Sequence, residues 1–257
     1  MGFLMPIQVL RSSLASTLQG WRGTSVVQQA QQPAQRLQLY DMEGSPYCRL
    51  VREALTALGL DVEINPCPAG GKRFRPQAQR IGGKQQFPLL VDPNRQVTMY
   101  ESADIVKYLF AIYGNGSTPR AYRRGVLDVP LSALASASGA LRGIRYRPAR
   151  EPKQPLHLWS FESSPYARLV RERLTELELP YVLHNLGKEQ WADMGPAAMR
   201  IKPGPYRPKP GGKREAFWKR VGKVQVPYLE DPNTGKALFE SADIMAYLER
   251  EYAQQPT

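Results

Sequence analysis

The chain has 257 residues and a mass of 28.9 kDa, which suits one large domain or two small ones. Hydrophobic residues make up 42% and charged residues 23%, a globular balance that excludes disorder over the whole length. Two cysteines and two histidines exclude a disulfide framework and a histidine-rich metal site, so we expect no metal. No apolar run approaches the ~20 residues that span a bilayer, so we expect no transmembrane segment.

The net charge of +12 is concentrated in three segments. Residues 1–36 carry +3, residues 114–154 carry +6 and residues 187–225 carry +7, which leaves −4 for the rest of the chain. Such a surface can attract an acidic protein, an anionic membrane surface or nucleic acid. The alternative, which we favour, is a basic surface that is simply solvated. An acidic protein and a peripheral membrane contact stay open as partners. Nucleic acid is the weakest partner because no recognised nucleic-acid motif is present.

The first 36 residues form an amphipathic leader. Apolar residues recur at helical spacing between Leu4 and Trp21, acidic residues are absent, and a glutamine-rich tether follows. Two interpretations remain open: a transit peptide, or a helix that docks on the folded protein. The expected location is the cytoplasm or another reducing compartment, and the plastid stroma if the leader is a transit peptide.

An internal repeat organises the rest of the chain. Residues 37–58 read LQLYDMEGSPYCRLVREALTAL, and residues 156–177 read LHLWSFESSPYARLVRERLTEL. A second matched pair follows at 87–109 and 226–248, with Glu-Ser-Ala-Asp-Ile identical in both. We therefore predict two units, 37–113 and 155–257, joined by the basic linker 114–154, with a basic insertion at 187–225 in the second.

Each unit predicts the same elements in the same order. In the first unit they are a strand at 37–40, a helix from Pro46 to about Leu58, a strand at 61–65, a hairpin at 87–100 and a helix from Ser102. The order β-α-β, β-β-α predicts an α/β fold with a mixed sheet and helices on both faces.

Each unit resembles the thioredoxin-like N-terminal domain of glutathione transferases, a relative of glutaredoxin. The resemblance rests on Ser-Pro-Tyr at the strand-to-helix turn, an arginine-rich first helix, an X-Pro pair that opens the hairpin, and Glu-Ser at the start of the last helix. The whole chain resembles tandem-domain proteins of this family from cyanobacteria and plant plastids. This implies two tandem thioredoxin-like domains, each with a mixed four-stranded sheet, and glutathione as ligand or substrate.

The resemblance places Ser45 opposite the sulfur of glutathione and Cys48 at the second cysteine position of glutaredoxins. A thiolate at a helix N-terminus is stabilised, so a low thiol pKa is expected there. We name Ser45 as a catalytic candidate and Cys48 as an accessory thiol; the alternative is a plain N-cap serine and a half-buried cysteine. In the second unit Ser164 persists, but Ala167 replaces the thiol.

The resemblance also implies a glutathione-binding set. Phe87-Pro88 would be a cis pair whose backbone faces the cysteinyl part of glutathione, while Glu101 and Ser102 would hold its γ-glutamyl end. The residues that match this set in the second unit are Ser164, Val226, Pro227, Glu240 and Ser241. The alternatives are a trans proline that opens an edge strand and serines that only cap helices.

The remaining cysteine and the two histidines are assigned structural roles. Cys67 is expected to be a free thiol in a loop, and His157 and His184 are expected to lie on strands. The aromatic residues of the insertion are expected to anchor that long loop to its own domain. They are Trp191, Tyr206, Phe217 and Trp218.

Two functions follow from these residues. The first is a glutathione-binding, thiol-redox or glutathione-transferase-like protein; if active, it would be transferase-like or glutaredoxin-like. The alternative is a non-catalytic thioredoxin-fold scaffold or assembly factor that binds a protein partner. The chain leaves open which of the two applies.

Overall fold

The structure is a computed structural model that describes residues 21–123, 142–195 and 204–254, together with Val9, Leu10, Ser13 and Thr17. The four isolated leader residues are helical, and the rest of the predicted leader helix lies outside the described residues. Parts of the predicted linker and of the predicted insertion also lie outside them.

The described residues form two halves with the same order of elements. The first half contains β1 (Leu37–Asp41), α1 (Pro46–Leu58), β2 (Val62–Pro66), α2 (Phe74–Gly82), β3 (Leu89–Asp92), β4 (Val97–Met99) and α3 (Ser102–Ile112). The second contains β5 (Leu156–Ser160), α4 (Pro165–Glu176), β6 (Tyr181–Asn185), α5 (Lys213–Val221), β7 (Tyr228–Asp231), β8 (Lys236–Phe239) and α6 (Ser241–Tyr252). Short 3-10 turns lie at Arg120–Tyr122 and Trp191–Asp193. This confirms the predicted mixed α/β fold.

All eight strands belong to one continuous sheet in the order β4-β3-β1-β2-β6-β5-β7-β8. Within each half the first two strands are parallel and the hairpin is antiparallel. The halves join where β2 pairs antiparallel with β6, with Glu63 opposite Val182 at the centre. Each of these strands would otherwise be an exposed edge, so their pairing satisfies both rows of backbone groups.

The alternation of side chains along the strands separates two faces of the sheet. On one face, α1, α3, α4 and α6 share a single apolar core that includes Leu39 and Leu183. On the other face, α2 and α5 cover separate smaller clusters, one around Tyr40 and one around Trp159. The main core therefore runs through both halves rather than forming two isolated centres.

The helix ends show how the halves interlock. Gly59 ends α1 in the left-handed conformation with φ 62°, and its N–H group donates to Leu55 and Thr56. The equivalent position in the second half is Glu178, which is also left-handed at φ 50°. Its carboxylate accepts hydrogen bonds from the backbone N–H groups of Arg73 and Phe74 at 3.0 and 3.1 Å, so it caps α2 of the other half.

Candidate functional site

The first component of the candidate site is the turn that leads into α1. Ser45 is the N-cap, and its Oγ accepts a hydrogen bond from Cys48 N at 3.4 Å. Ser164 accepts in the same way from Ala167 N at 3.3 Å. A serine hydroxyl that accepts one bond still has its own O–H to donate. Each helix start therefore combines free N–H groups with a hydroxyl that could face an anionic sulfur.

The second component is the X-Pro pair before β3 and before β7. The Phe87-Pro88 and Val226-Pro227 bonds are both cis, and both prolines are buried. The pairing of Tyr40 with Leu89 sets the start of β3 beside the end of β1. Since the Ser45 turn also leaves from the end of β1, the proline and the serine lie at the same end of the sheet.

The third component is the corner that opens α3 and α6. Glu101 has φ 64° and ψ 110°, and Glu240 has φ 64° and ψ 121°, a region that residues other than glycine rarely occupy. The carboxylate of Glu101 accepts a hydrogen bond from Gln86 Nε2 at 2.6 Å, and Gln225 donates to Glu240 in the same manner. No sequence pattern indicates this backbone strain, which is repeated in both halves.

The serine after each strained glutamate is buried at a helix start. Ser102 is 2% exposed, and its Oγ has no hydrogen-bond partner among the described residues. Ser241 is 3% exposed. A buried hydroxyl without a partner costs about 1–3 kcal/mol, so Ser102 is a position where a ligand oxygen would be stabilising.

A cavity of about 20 Å³, near the size of one water molecule, lies beside Ser102 between α1 and α3. It is lined by Arg22, Leu50, Glu53, Ser102, Ala103, Val106 and Tyr122. A tripeptide does not fit inside it. A ligand of that size would therefore lie outside this cavity.

The structure contradicts the expectation of a reactive thiol at Cys48. Cys48 is fully buried, and burial, reinforced by the charge of Asp41, raises the pKa of its thiol rather than lowering it. Cys67 is also fully buried, and burial raises its pKa as well. Both cysteines are free. The stabilisation offered by the helix N-terminus is outweighed because Cys48 faces the interior rather than solvent.

A buried ion-pair network joins the two halves beneath the candidate site. Arg52 of α1 donates to both carboxylate oxygens of Asp41 at 2.7 Å and to Glu162 of the other half at 3.0 Å. In the opposite direction, Nη2 of Arg171 in α4 donates to Oε1 of Glu43 in the first half at 3.0 Å. All five side chains are at most 1% exposed. The sequence shows that the first helix is rich in arginine, but nothing in its pattern indicates a contact between the halves.

Within the network, the pKa values of two carboxyl groups are shifted in opposite directions. Burial raises the pKa of Asp41 despite the opposing charge of Arg52. For Glu162 the burial penalty is outweighed, and the charges of Arg171 and Arg52 lower its pKa to about 2. The positive charges of the two guanidinium groups therefore stabilise the ionised carboxylates against the effect of burial.

A second polar chain crosses between the halves on the opposite face of the sheet. His157 and His184 lie on β5 and β6, as predicted, with 2.9 Å between Nδ1 and Nε2. His184 Nδ1 lies 2.9 Å from Asp61 Oδ2, and Lys213 also pairs with Asp61. No set of three metal-binding side chains occurs in the part of the chain that the structure covers.

The aromatic residues of the insertion divide into two groups. Phe217 is buried in the cluster around Trp159, and the Tyr206 hydroxyl donates to Asp193 at 2.7 Å, so both anchor the insertion. Trp191 and Trp218 instead expose 68% and 41% of their surface. None of the helices described here has both the length and the apolar character needed to cross a membrane.

Comparisons with known proteins found a matching family model and similar solved structures. A family model described as glutathione S-transferase, N-terminal domain, matches residues 39–118 and again residues 158–256. A Bombyx mori glutathione transferase structure is 26% identical over 33% of this chain and 39% of its own length, with a TM-score of 0.29. A trimeric glutathione transferase of Leishmania is 12% identical over 87% of this chain and 68% of its own, with a TM-score of 0.27. No curated protein matches the chain.

The chain thus spans about two fifths of the silkworm enzyme that it resembles. The two family matches together cover more than half of its residues, and each match contains one N-cap serine, one cis-proline and one Glu-Ser corner. The chain therefore belongs to the glutathione S-transferase N-terminal domain family, whose model matches one range in each half.

Proposed function

We propose that this protein binds reduced glutathione and acts in a glutathione-transferase-like manner, with the first half as its principal site. Ser45 would face the sulfur, the backbone beside Pro88 the cysteinyl part, and Glu101 and Ser102 the γ-glutamyl end. The observation that carries the proposal is the buried Ser102 hydroxyl, which lacks a partner at the start of α3.

The Glu101 corner supports an anion site at this position. A residue held in a sparsely populated backbone region costs on the order of 1–3 kcal/mol, and such strain is concentrated at ligand sites. Here the strain recurs at Glu240. It turns the chain so that the first N–H groups of α3 and the Ser102 hydroxyl lie together, which favours a carboxylate.

Ser45 supports a chemistry based on a stabilised thiolate. Its hydroxyl can donate to the glutathione sulfur while its Oγ keeps the hydrogen bond from Cys48 N. The glutathione thiol would release its proton to water, and the thiolate would attack a carbon electrophile. As the sulfur–carbon bond forms, either a leaving group departs with the electron pair of its bond to that carbon, or a carbon–carbon double bond breaks and its displaced electron pair takes up a proton from water. Since Ser45 cannot form a mixed disulfide and Cys48 is buried, we favour transferase-like over glutaredoxin-like chemistry.

The second half offers an equivalent site with a reduced set of features. Ser164, Pro227, Glu240 and Ser241 repeat the same geometry. The second half lacks the feature that carries the first site, because the unsatisfied buried hydroxyl is seen at Ser102 and not at Ser241. We therefore propose weaker binding in this half.

Calorimetric titration of the full chain with reduced glutathione tests the proposal. Ser102→Ala should weaken binding by about 10-fold or more, as expected for the loss of a hydrogen bond to a charged group. The matched control is Ser117→Ala, an exposed serine outside the site, which should leave the affinity unchanged. Absence of saturable binding at millimolar glutathione, or equal effects of the two variants, would contradict the proposal.

A second candidate is a protein-binding scaffold. Tyr47 and Tyr166 follow the two N-cap serines and remain 43% and 47% exposed, so each site carries an exposed aromatic ring suited to a protein contact. The basic segments would favour an acidic partner. Both free cysteines fit a reducing compartment, such as the cytoplasm or the plastid stroma. A protein without glutathione affinity would point to this scaffold role.

A further inference from the structure

Two short segments cross between the halves and dock beside the candidate sites. We call residues 22–26 the first arm and residues 142–146 the second arm. The carbonyl of Gly23 in the first arm accepts a hydrogen bond from Ser163 N at 3.2 Å, next to Ser164 of the second half. The carbonyl of Gly143 in the second arm accepts from Gly44 N at 3.3 Å, next to Ser45 of the first half.

Each arm then pairs like a short parallel strand with the loop that follows the second strand of the other half. Lys188 N donates to Thr24 O at 2.9 Å, and Val26 N donates to Lys188 O at 2.8 Å. The second arm repeats this pattern with Ala69, whose N–H group donates to Ile144 O and whose carbonyl accepts from Tyr146 N. The arms are therefore exchanged between the halves.

After docking on the other half, each arm returns to its own half. Val27 N donates to Ala57 O near the end of α1, and Arg147 N donates to Glu176 O at the end of α4, both at 2.7 Å. Each arm, together with the residue that follows it, thus links both halves through backbone hydrogen bonds, which do not depend on particular side chains.

The sequence repeat extends back into these arms. Residues 9–23 read VLRSSLASTLQGWRG and residues 129–143 read VPLSALASASGALRG, and seven of the fifteen positions are identical. The identical positions include Leu-Ala-Ser and the Arg-Gly of each arm. A targeting peptide would have no reason to recur in the interior of the chain, whereas an arm that serves each half would.

The arm glycines are required by close packing. Gly23 has φ 73°, and a Cβ added there would lie 2.7 Å from Glu162 Cβ. Gly143 has φ 65°, and its added Cβ would lie 3.0 Å from Glu43 Cβ. Because Glu43 and Glu162 belong to the buried ion-pair network, the arms also lie directly over that network.

We infer that each repeat unit begins with an arm that docks permanently on the other half, beside the N-cap serine and on the loop that follows the second strand, so that residues 9–26 remain part of the working protein rather than a removable transit segment. This inference does not depend on glutathione binding. It selects the docking interpretation of the leader from the two that the sequence left open.

Hydrogen exchange of individual amides in the full chain tests the exchanged contacts. Gly23→Ala should speed exchange at Ser163 and Lys188 of the second half by about 10-fold or more, because the left-handed backbone and the close packing both oppose a Cβ. Gly143→Ala should instead speed exchange at Gly44 and Ala69. Gly83→Ala and Gly222→Ala are the matched controls, since both glycines are left-handed but have no atom within 4 Å of an added Cβ; neither should speed exchange at the four amides.

Acceleration confined to the half that carries the substitution, or no difference from the controls, would overturn the inference. If Gly23→Ala does not fold, Thr24→Val removes the hydroxyl that contacts Ser163 and donates to Trp21 O, and it should give a smaller acceleration at the same amides. Terminal-peptide mass spectrometry of the protein from its own cells provides an independent check. A mature chain that begins beyond Gly23 would also overturn the inference.

Discussion

The ion-pair network predicts a large loss of stability when Arg52 is replaced by methionine, which keeps the apolar stem but removes the charge. In the native protein, Arg52 and Arg171 are shared by the carboxylates of Asp41, Glu43 and Glu162. The variant would leave three buried carboxylates with one guanidinium. Breaking a buried pair from one side costs about 3–5 kcal/mol, so we expect the free energy of unfolding to fall by about 4 kcal/mol at pH 7.

Urea unfolding at pH 7 and pH 5 measures this loss. The deficit should shrink at pH 5, because burial already raises the pKa of Asp41 and the loss of Arg52 raises it further, so that a lower pH favours the neutral form of this carboxyl group in the folded variant. Arg95→Met, at an exposed position, is the control and should change stability by less than about 0.5 kcal/mol. Adding Asp41→Ser, the residue type found at Ser160 in the second half, should recover part of the loss. An Arg52→Met protein within about 1 kcal/mol of the native value at pH 7 would refute this reasoning.

Three further predictions concern titratable groups that are buried or half-buried. Burial raises the pKa of Glu172 from 4.5 to about 7. The stability that this group contributes is therefore present at low pH and is lost as the pH rises from about 4.5 to 7. In the Glu172→Gln variant, urea unfolding should no longer show this pH-dependent loss, which amounts to at most about 3 kcal/mol of unfolding free energy. Cys48 and Cys67 should resist alkylation in the native protein at pH 8 and react in denaturant, and fast native labelling of either would contradict their burial. Burial and the neighbouring His184 lower the pKa of His157, so its imidazole should titrate below 6.5 by NMR; a higher value would argue against the histidine pair.

Local patterns in the sequence were sufficient to predict most of the elements. Ser45 followed by Pro46 marks the start of α1, and Gly59 marks its end, because capping chemistry depends on a few adjacent residues. The hairpin at 87–100 was predicted from Pro and Asn at its turn and from apolar residues on either side. Because the same sequence pattern occurs in both halves, each element is predicted from two copies, which favours two similar units.

The contacts between the halves could not be predicted in the same way. Arg52 and Arg171 have the pattern of solvated positions on an amphipathic helix, and only the packing of α1 against the second half buries them. The pairing of β2 with β6 also leaves little trace, because Glu63 opposite Val182 is not an apolar pair. Cys48 was expected to be reactive from its place at a helix start, but burial depends on the elements packed around it.

The most direct test of the glutathione-binding claim is an amide chemical-shift titration of the full chain with reduced glutathione. The account predicts saturable shifts at Cys48, Leu89, Ser102 and Ala103, the amides around the three components of the first site. Shifts confined to the basic segment 204–225, which would reflect attraction of the anionic tripeptide to surface charge, or no shifts at millimolar glutathione, would contradict it.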